Sequence, residues 1–323
     1  MIDIKLLEQL CLCNGISGDE GNVRNLIINE IKDCADDIKT DNLGNLIVFK
    51  KGKKSAKSKL MVSAHMDEVG LMVTDITSDG YLKFDEVGGI DRRVLPGKRV
   101  CVGRNGLNGV IGVKPIHLTN GDEKTAVPKM NDMYIDIGAE SREDALKYVN
   151  YGDGINFEGD FKINGKTVVT KALDDRFGCY VLINLIKSEP EYDMYFTFVV
   201  QEEVGLRGAR PAAFTVNPDF ALVIESTTAA DVAEVDVSHQ VCNLSKGATV
   251  TVMDRATVYD KEMISAAFEL AEKNNIAVQY KRAVAGGNDS GAIHQSRGGV
   301  RTLAVSLPSR YIHAPSTAAN LDD

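Results

Sequence analysis

Only five histidines occur among the 323 residues, and two of them stand with acids at the ends of strand-like runs. His65 and Asp67 follow the apolar run 60–64. Asp174 and Asp175 lie between 168–169 and a helical stretch. Glu202 and Glu203 follow the run 194–200, Glu225 closes the run 221–224, and His313 follows 303–307 after a short loop. Sheets flanked by helices bind ligands outside the carboxyl ends of their strands. Five segments would therefore deliver imidazoles and carboxylates to one rim. That donor mixture suits zinc, cobalt or manganese. One histidine plus carboxylates on each of two ions, with one carboxylate shared, would hold the ions about 3.5–4 Å apart. Acids also collect at strand ends as ordinary turn and cap residues, so spacing alone leaves both readings open.

Each residue has a plainer role beside the chemical one. His65 and His313 fit as core or loop histidines, Asp67 as a turn residue and Glu225 as a strand terminator. Glu202 and Glu203 fit a solvated loop. Asp174 has a natural second role as a helix N-cap, which does not exclude metal binding. Asp175 stays outside the ligand set. His117, His239 and His294 have no ligand partner nearby in sequence, and Asp289, after a Gly-Gly-Asn turn, lines a pocket or simply serves the turn.

These residues need a frame. Ser17-Gly18-Asp19-Glu20 reads as a capping box that opens a helix carrying Val23, Leu26, Ile27 and Ile31 at helical spacing. Strands are expected over 45–49 and 60–64. Residues 70–160 change texture, with short alternating runs broken by glycines and a helical stretch near 141–149, which suggests a small β-rich module. Strands and helices then alternate: 168–169, helix 176–187, strand 194–200, strand 221–224, helix 261–274 and a last strand 303–307. The fold class expected is α/β, a mixed and mostly parallel sheet flanked by helices. Residues 1–69 and 161–323 would form the catalytic domain, and 70–160 an inserted β-rich module.

Composition narrows the partners. Hydrophobic residues at 44% and charged residues at 26% describe an ordinary globular protein. A net charge of −9 argues against nucleic acid, whose binding rests on neutralising phosphates. The lysines at 50, 51, 53, 54, 57 and 59 read as a solvated hairpin tip between two strands. No stretch approaches the roughly 20 apolar residues that span a bilayer, and no signal peptide is visible, so a cytoplasmic location is expected. The six scattered cysteines form no paired metal pattern and read as reduced and mostly buried.

Five ordered motifs carry a family resemblance along nearly the whole chain. They are 14–18 (NGISG), 63–70 (SAHMDEVG), 171–176 (KALDDR), 200–208 (VQEEVGLRG) and the closing pair 286–290 (GGNDS) with 309–313 (SRYIH). Together they resemble the tetrahedral aminopeptidases, the family-forty-two metallopeptidases with a zinc-peptidase-like fold, which include glutamyl, leucyl and deblocking aminopeptidases. The resemblance implies two divalent ions per subunit, zinc or cobalt, with manganese a further candidate. His65 and Glu225 would bind one, Glu203 and His313 the other, and Asp174 would bridge them across a cis peptide to Asp175. Asp67 would accept a hydrogen bond from the far nitrogen of His65, and Glu202 would be the general base that takes a proton from water. It also implies short peptides as substrates, and dimers built through the insertion that assemble into a shell of twelve. Glu225 stands where many members carry Asp, and the chain stops at Asp323 where the family usually continues into a helix.

Two other classes compete. Some relatives carry a cellulase label, so a glycoside hydrolase with paired carboxylates is the main alternative. The absence of tryptophan, which sugar clefts commonly use for stacking, speaks against it. A scaffolding protein that has lost activity is opposed by the intact ligand set.

Overall fold

The computed structural model describes residues 2–323. Alternation along its strands explains a sheet covered on both faces. Leu46, Val48, Val62, Ala64, Phe196 and Phe198 pack under the helices Ile4–Leu12, Gly21–Ile31 and Leu173–Lys187. Their neighbours Ile47, Met61 and Tyr195 point the other way, into a cluster with Ala213, Val216, Ile264 and Ile293 from the helices Ala209–Val216, Lys261–Lys273 and Ser290–Ile293. Period-two side chains feeding two apolar layers are what a buried parallel centre requires. Phe196 and Phe198 are wholly buried, and each contributes roughly 1.5–3 kcal/mol by leaving water.

The main sheet runs, edge to edge, Asp37–Thr40, Leu46–Lys50, Met194–Val199, Leu60–His65, Phe220–Thr228, Arg301–Arg310, Thr317–Asn320, Thr167–Thr170 and Lys162–Asn164. The four strands from Met194–Val199 to Arg301–Arg310 are mutually parallel, and antiparallel pairs flank them. Thr167–Thr170 is two antiparallel steps from Arg301–Arg310, so it runs in the same direction as the parallel centre. All five site-bearing strands thus point their carboxyl ends to one rim.

Between Gly70 and Phe157 six strands close a separate antiparallel barrel around its own core of Leu71, Val73, Leu82, Phe84, Val100 and Ile155. The helical stretch expected near 141–149 is a single turn, Arg142–Ala145, capped by Ser141. The barrel and the loop between the first two helices meet tightly at Gly70, where a Cβ would fall 2.3 Å from the Ile16 side chain and 2.8 Å from the carbonyl oxygen of Ile155 in the barrel itself.

Several expectations need correction. The second helix starts at Gly21, and Ser17 does not cap it: its hydroxyl donates to Asp67 Oδ2 at 2.6 Å. Glu20 instead accepts the N–H groups of Gly18 and Gln201. A local capping signal was overridden by contacts to the site. Another helix, Ile4–Leu12, precedes it, capped by Asp3 on the N–H of Leu6. The lysine-rich loop is no hairpin tip, because Met194–Val199 lies between the two strands it joins. It remains solvated and is tied to the neighbouring loop through Lys53–Glu189 and Lys54–Glu191 ion pairs. Strand Phe220–Thr228 continues past Glu225, and Thr317–Asn320 follows the strand expected to be last.

Candidate metal centre

His65 is the final residue of its strand and is almost fully buried. Its main chain is pinned twice: the N–H donates to Asp175 Oδ2 at 3.2 Å, and its carbonyl accepts the Cys179 thiol at 3.1 Å. Nδ1 meets the main-chain carbonyl of Asp67 at 3.0 Å, with the Asp67 carboxylate farther off at 3.5 Å. The closer partner of the far nitrogen is therefore the main-chain carbonyl of Asp67, with the expected carboxylate just beyond it. Nε2 faces the other way, 3.2 Å from Asp174 Oδ1 and 3.4 Å from Glu225 Oε1.

The second oxygen of Asp174 lies 3.5 Å from His313 Nε2, and His313 Nε2 lies 3.2 Å from Glu203 Oε2. One carboxylate thus stands between two imidazoles, each with a further glutamate beside it. One donor atom from each of His65, Asp174 and Glu225 lies within 4.8 Å of the others, and the same holds for Asp174, Glu203 and His313. Glu202 joins this space in a third set with His65 and Glu203.

Local backbone explains how neighbouring residues reach one site. Strand Met194–Val199 ends before Gln201, whose φ of 56° turns the chain. Glu202 and Glu203 therefore escape strand alternation, which would have sent them to opposite faces. Asp67 fixes the turn by accepting the N–H of Glu202 at 3.0 Å and of Glu203 at 3.1 Å. Buried Asn45 holds the same loop from behind, accepting the Val200 N–H and donating to the Gly208 carbonyl. The Asp174–Asp175 peptide is cis, and both residues have non-helical dihedrals. Asp175, not Asp174, does the capping, by accepting the Gly178 N–H at 3.0 Å. The barrel adds a wall: a Cβ on Gly88, whose φ is +84°, would sit 3.2 Å from the Glu203 side chain.

Crowding of charge perturbs the acids and imidazoles. Burial, and then the charge of Asp174, pushes Glu203 up to about 8. Burial pushes Glu225 up to about 7 against the attraction of His65. Burial also pushes Glu202 well above the usual range, with Glu225 and Asp289 adding to the rise. Asp174 goes the other way, because the facing His313 and His65 outweigh its burial. Burial opposes charge on His313, yet Asp174 and Glu203 raise it to about 9.

The donor chemistry fits divalent cations. Glu203 Oε1 and Glu225 Oε2 are buried without a hydrogen-bond partner. An unsatisfied buried carboxylate oxygen is costly unless a proton or cation compensates it. Oxygen and imidazole donors on both sides of a shared carboxylate offer that compensation twice.

All seven residues singled out from the sequence are brought together here. His117, His239 and His294 are not; His294 Nδ1 pairs with the Ser290 carbonyl at 2.7 Å. Burial drives the thiol of Cys179 upward, which leaves it a thiol donor beside His65. Sequence reasoning missed Ser17 as support for Asp67. It also missed the buried ion pair of Glu68 with Lys171, at 2.6 Å, although both residues belong to the motifs quoted above.

Comparison with known proteins places these motifs. The pattern of the M42 glutamyl aminopeptidase family matches residues 44–323. A putative aminopeptidase of Acetivibrio thermocellus is 44% identical over 98% of this chain and 94% of its own. A lysyl aminopeptidase of Pyrococcus furiosus is 33% identical over 100% of this chain and 94% of its own. The TET1 peptidase of Pyrococcus horikoshii, which can assemble into a tetrahedron or a large octahedral shell, superposes with a TM-score of 0.88. It is 40% identical and covers 99% of this chain and 95% of its own.

Proposed function

This chain belongs to the M42 glutamyl aminopeptidase family, and on that footing we propose a metal-dependent enzyme that removes the first residue of short peptides through a pair of divalent ions. The observation that carries the proposal is the position of Asp174, one oxygen toward His65 and the other toward His313. In this reading His65 and Glu225 hold one ion, Glu203 and His313 the other, and Asp174 both. Zinc or cobalt suits this donor set, with manganese a further candidate.

Bound divalent ions would supply Lewis acidity to water and to the substrate carbonyl. The chain supplies the rest. Glu202 takes a proton from the water that attacks the carbonyl carbon and returns it to the departing amine nitrogen as the C–N bond breaks. Its burial favours holding that proton between the two steps. Asp67 keeps Glu202 and Glu203 aimed, and Asp175 with Cys179 keeps the His65 main chain in place. A positive amino terminus would find partners among the carboxylates at the rim, which supports removal of first residues over internal cleavage.

The imidazoles lying between the carboxylates give no support to a glycoside hydrolase, which needs two carboxyl groups flanking one bond. Among the described residues no helix is long and apolar enough to cross a membrane. The likeness to a shell-forming peptidase supports a homo-oligomer built from dimers, up to a dodecamer, with the 70–160 module as the contact between subunits.

The test is hydrolysis of a panel of aminoacyl-nitroanilides by protein freed of metal and then reloaded with Zn²⁺, Co²⁺ or Mn²⁺. Activity should vanish on metal removal and return on reloading. A fully loaded protein that cleaves no substrate with a free amino group would end this reading.

A further inference from the structure

A strand that ends leaves main-chain N–H groups that must find acceptors elsewhere. Where Met194–Val199 gives way to the loop of Glu202 and Glu203, four successive N–H groups find them on side chains. Val200 donates to Asn45 Oδ1 at 2.9 Å, Gln201 to Glu20 Oε1 at 3.1 Å, Glu202 to Asp67 Oδ1 at 3.0 Å and Glu203 to Asp67 Oδ2 at 3.1 Å. The carbonyls of the same stretch are met from within the loop. Those of Val200, Gln201 and Glu202 accept the N–H groups of Gly208, Arg207 and Gly205. The loop is closed on itself, and its aim toward the ligand cluster is set by three side chains outside it.

Two of the three are plainly part of the frame. Asp67 lies two residues after His65, and Asn45 is itself held by Asp41, through its N–H at 3.0 Å and its side-chain amide at 2.7 Å. Glu20 is different. It is buried, and the groups that bear on its charge are main-chain N–H groups and a fellow acid, Asp67, with no lysine or arginine among them. It stands at the N-cap position of Gly21–Ile31, yet its side chain makes no capping bond there. Its Oε1 instead accepts two N–H groups, from Gly18 at 2.7 Å and from Gln201 at 3.1 Å. Burying a carboxylate without a cation costs stability, and the helix it precedes gains no cap in return. Gln201 is the residue whose φ of 56° turns the chain, a region that residues other than glycine seldom enter. Glu202 follows it directly, with a carboxylate oxygen within 4.8 Å of donor atoms on His65 and Glu203. Relaxation of φ at 201 would swing that carboxylate away from them.

We propose that Glu20 is a positioning residue for the reaction, holding Gln201 in its left-handed turn and so aiming the Glu202 carboxylate at the attacking water. This rests on the aminopeptidase reading above for the part played by Glu202. What the hold requires is an acceptor oxygen at the right reach, not a charge. An amide oxygen would serve, since both N–H groups go to the same oxygen atom of Glu20. A side chain one methylene shorter would keep the charge and lose the reach. Glu20→Gln and Glu20→Asp therefore separate the two requirements.

The experiment compares wild type with Glu20→Gln, Glu20→Asp and Glu20→Met, all loaded with the same divalent metal, on the nitroanilide that wild type cleaves best. Glu20→Gln should keep kcat within about threefold of wild type. Glu20→Asp and Glu20→Met should lower it by roughly 10- to 100-fold, the scale of a misplacement near 1 Å, with KM and metal content little changed. An active Glu20→Asp beside an impaired Glu20→Gln overturns the proposal in favour of a charge effect. Equal kcat in all four proteins, or a loss that follows metal content or KM, overturns it too. The second readout needs no turnover: amide hydrogen exchange across 200–203. Exchange at Gln201, Glu202 and Glu203 should quicken in Glu20→Asp and Glu20→Met and stay at the wild-type rate in Glu20→Gln, while the strand Leu60–His65 is unchanged. Unchanged exchange at those three amides in Glu20→Asp and Glu20→Met overturns the proposal whatever the activities. Quickened exchange in a protein that cleaves no substrate supports the hold on Gln201 and sinks the aminopeptidase reading alone. Should Glu20→Met fail to fold, the comparison of Glu20→Asp with Glu20→Gln decides both readouts.

Discussion

The buried carboxylate of Asp67 accepts the main-chain N–H of Glu202 at 3.0 Å. Its other oxygen takes the N–H of Glu203 at 3.1 Å and the Ser17 hydroxyl at 2.6 Å. The proposed general base and one proposed ligand are therefore oriented by a single side chain, two residues beyond a third functional group, His65. An asparagine at 67 would offer one acceptor where three donors converge. Asp67→Asn should lower kcat by about 10- to 100-fold and weaken metal retention, as loss of a supporting carboxylate commonly does. Steady-state kinetics beside metal content check this, and a kcat within twofold of wild type would remove the positioning role.

Glu202→Gln keeps size and shape but cannot carry a proton between water and leaving group. Its kcat should fall by roughly 10²- to 10⁴-fold. Metal stoichiometry should stay at the wild-type value, because the proposed ligands are untouched. Parallel loss of metal and activity would move Glu202 into the ligand set.

Metal-free protein should lose stability as pH rises. Glu225 and Glu203 are raised to about 7 and about 8 by burial, above their ordinary 4.5, and His313 is raised to about 9 from 6.5. For all three groups the folded state holds more protons than the unfolded chain, so stability falls with increasing pH. The carboxyl contribution is lost from about pH 4.5 up to 7–8, and that of His313 between 6.5 and 9. The Tm of the metal-free form should therefore drop between pH 6 and 9. Saturating divalent metal, which displaces those protons, should remove the drop or reverse it. Thermal scans with and without metal across that range decide the matter.

Lys171 and Glu68 form an ion pair with both side chains almost wholly buried, and Arg176 reaches the same carboxylate at 3.3 Å. Removing Lys171 takes the shortest charged contact from the buried Glu68 and leaves it the longer one to Arg176, so Lys171→Met should cost about 1.5–3 kcal/mol in denaturant unfolding. Adding Glu68→Gln should recover part of that loss, since the two effects share a partner.

Much of the frame could be read from the chain because it is set by short-range periodicity. Phe196 and Phe198 alternate with Tyr195 and Thr197, which marks a strand before any partner is known. The candidate site was legible through motifs, since His65, Asp174, Glu203, Glu225 and His313 each sit where a strand or its following loop reaches the rim. What stayed hidden depended on residues far apart in the chain. Ser17 looked like a helix cap because its competing partner, Asp67, is 50 positions away. The loop 50–59 looked like a hairpin tip because the strand that separates its flanks arrives only at Met194.

The shared carboxylate at Asp174 also has a consequence in time. Its two histidine neighbours, His65 and His313, are 248 positions apart in the chain. At a synthesis rate of about 5–20 residues per second, roughly 12–50 s separate their appearance on the ribosome. Through that interval the proposed donors for a second ion do not yet exist together, and a growing chain carries at most half of the proposed centre. On the proposed function, hydrolysis has to wait for His313 to join donors made long before it.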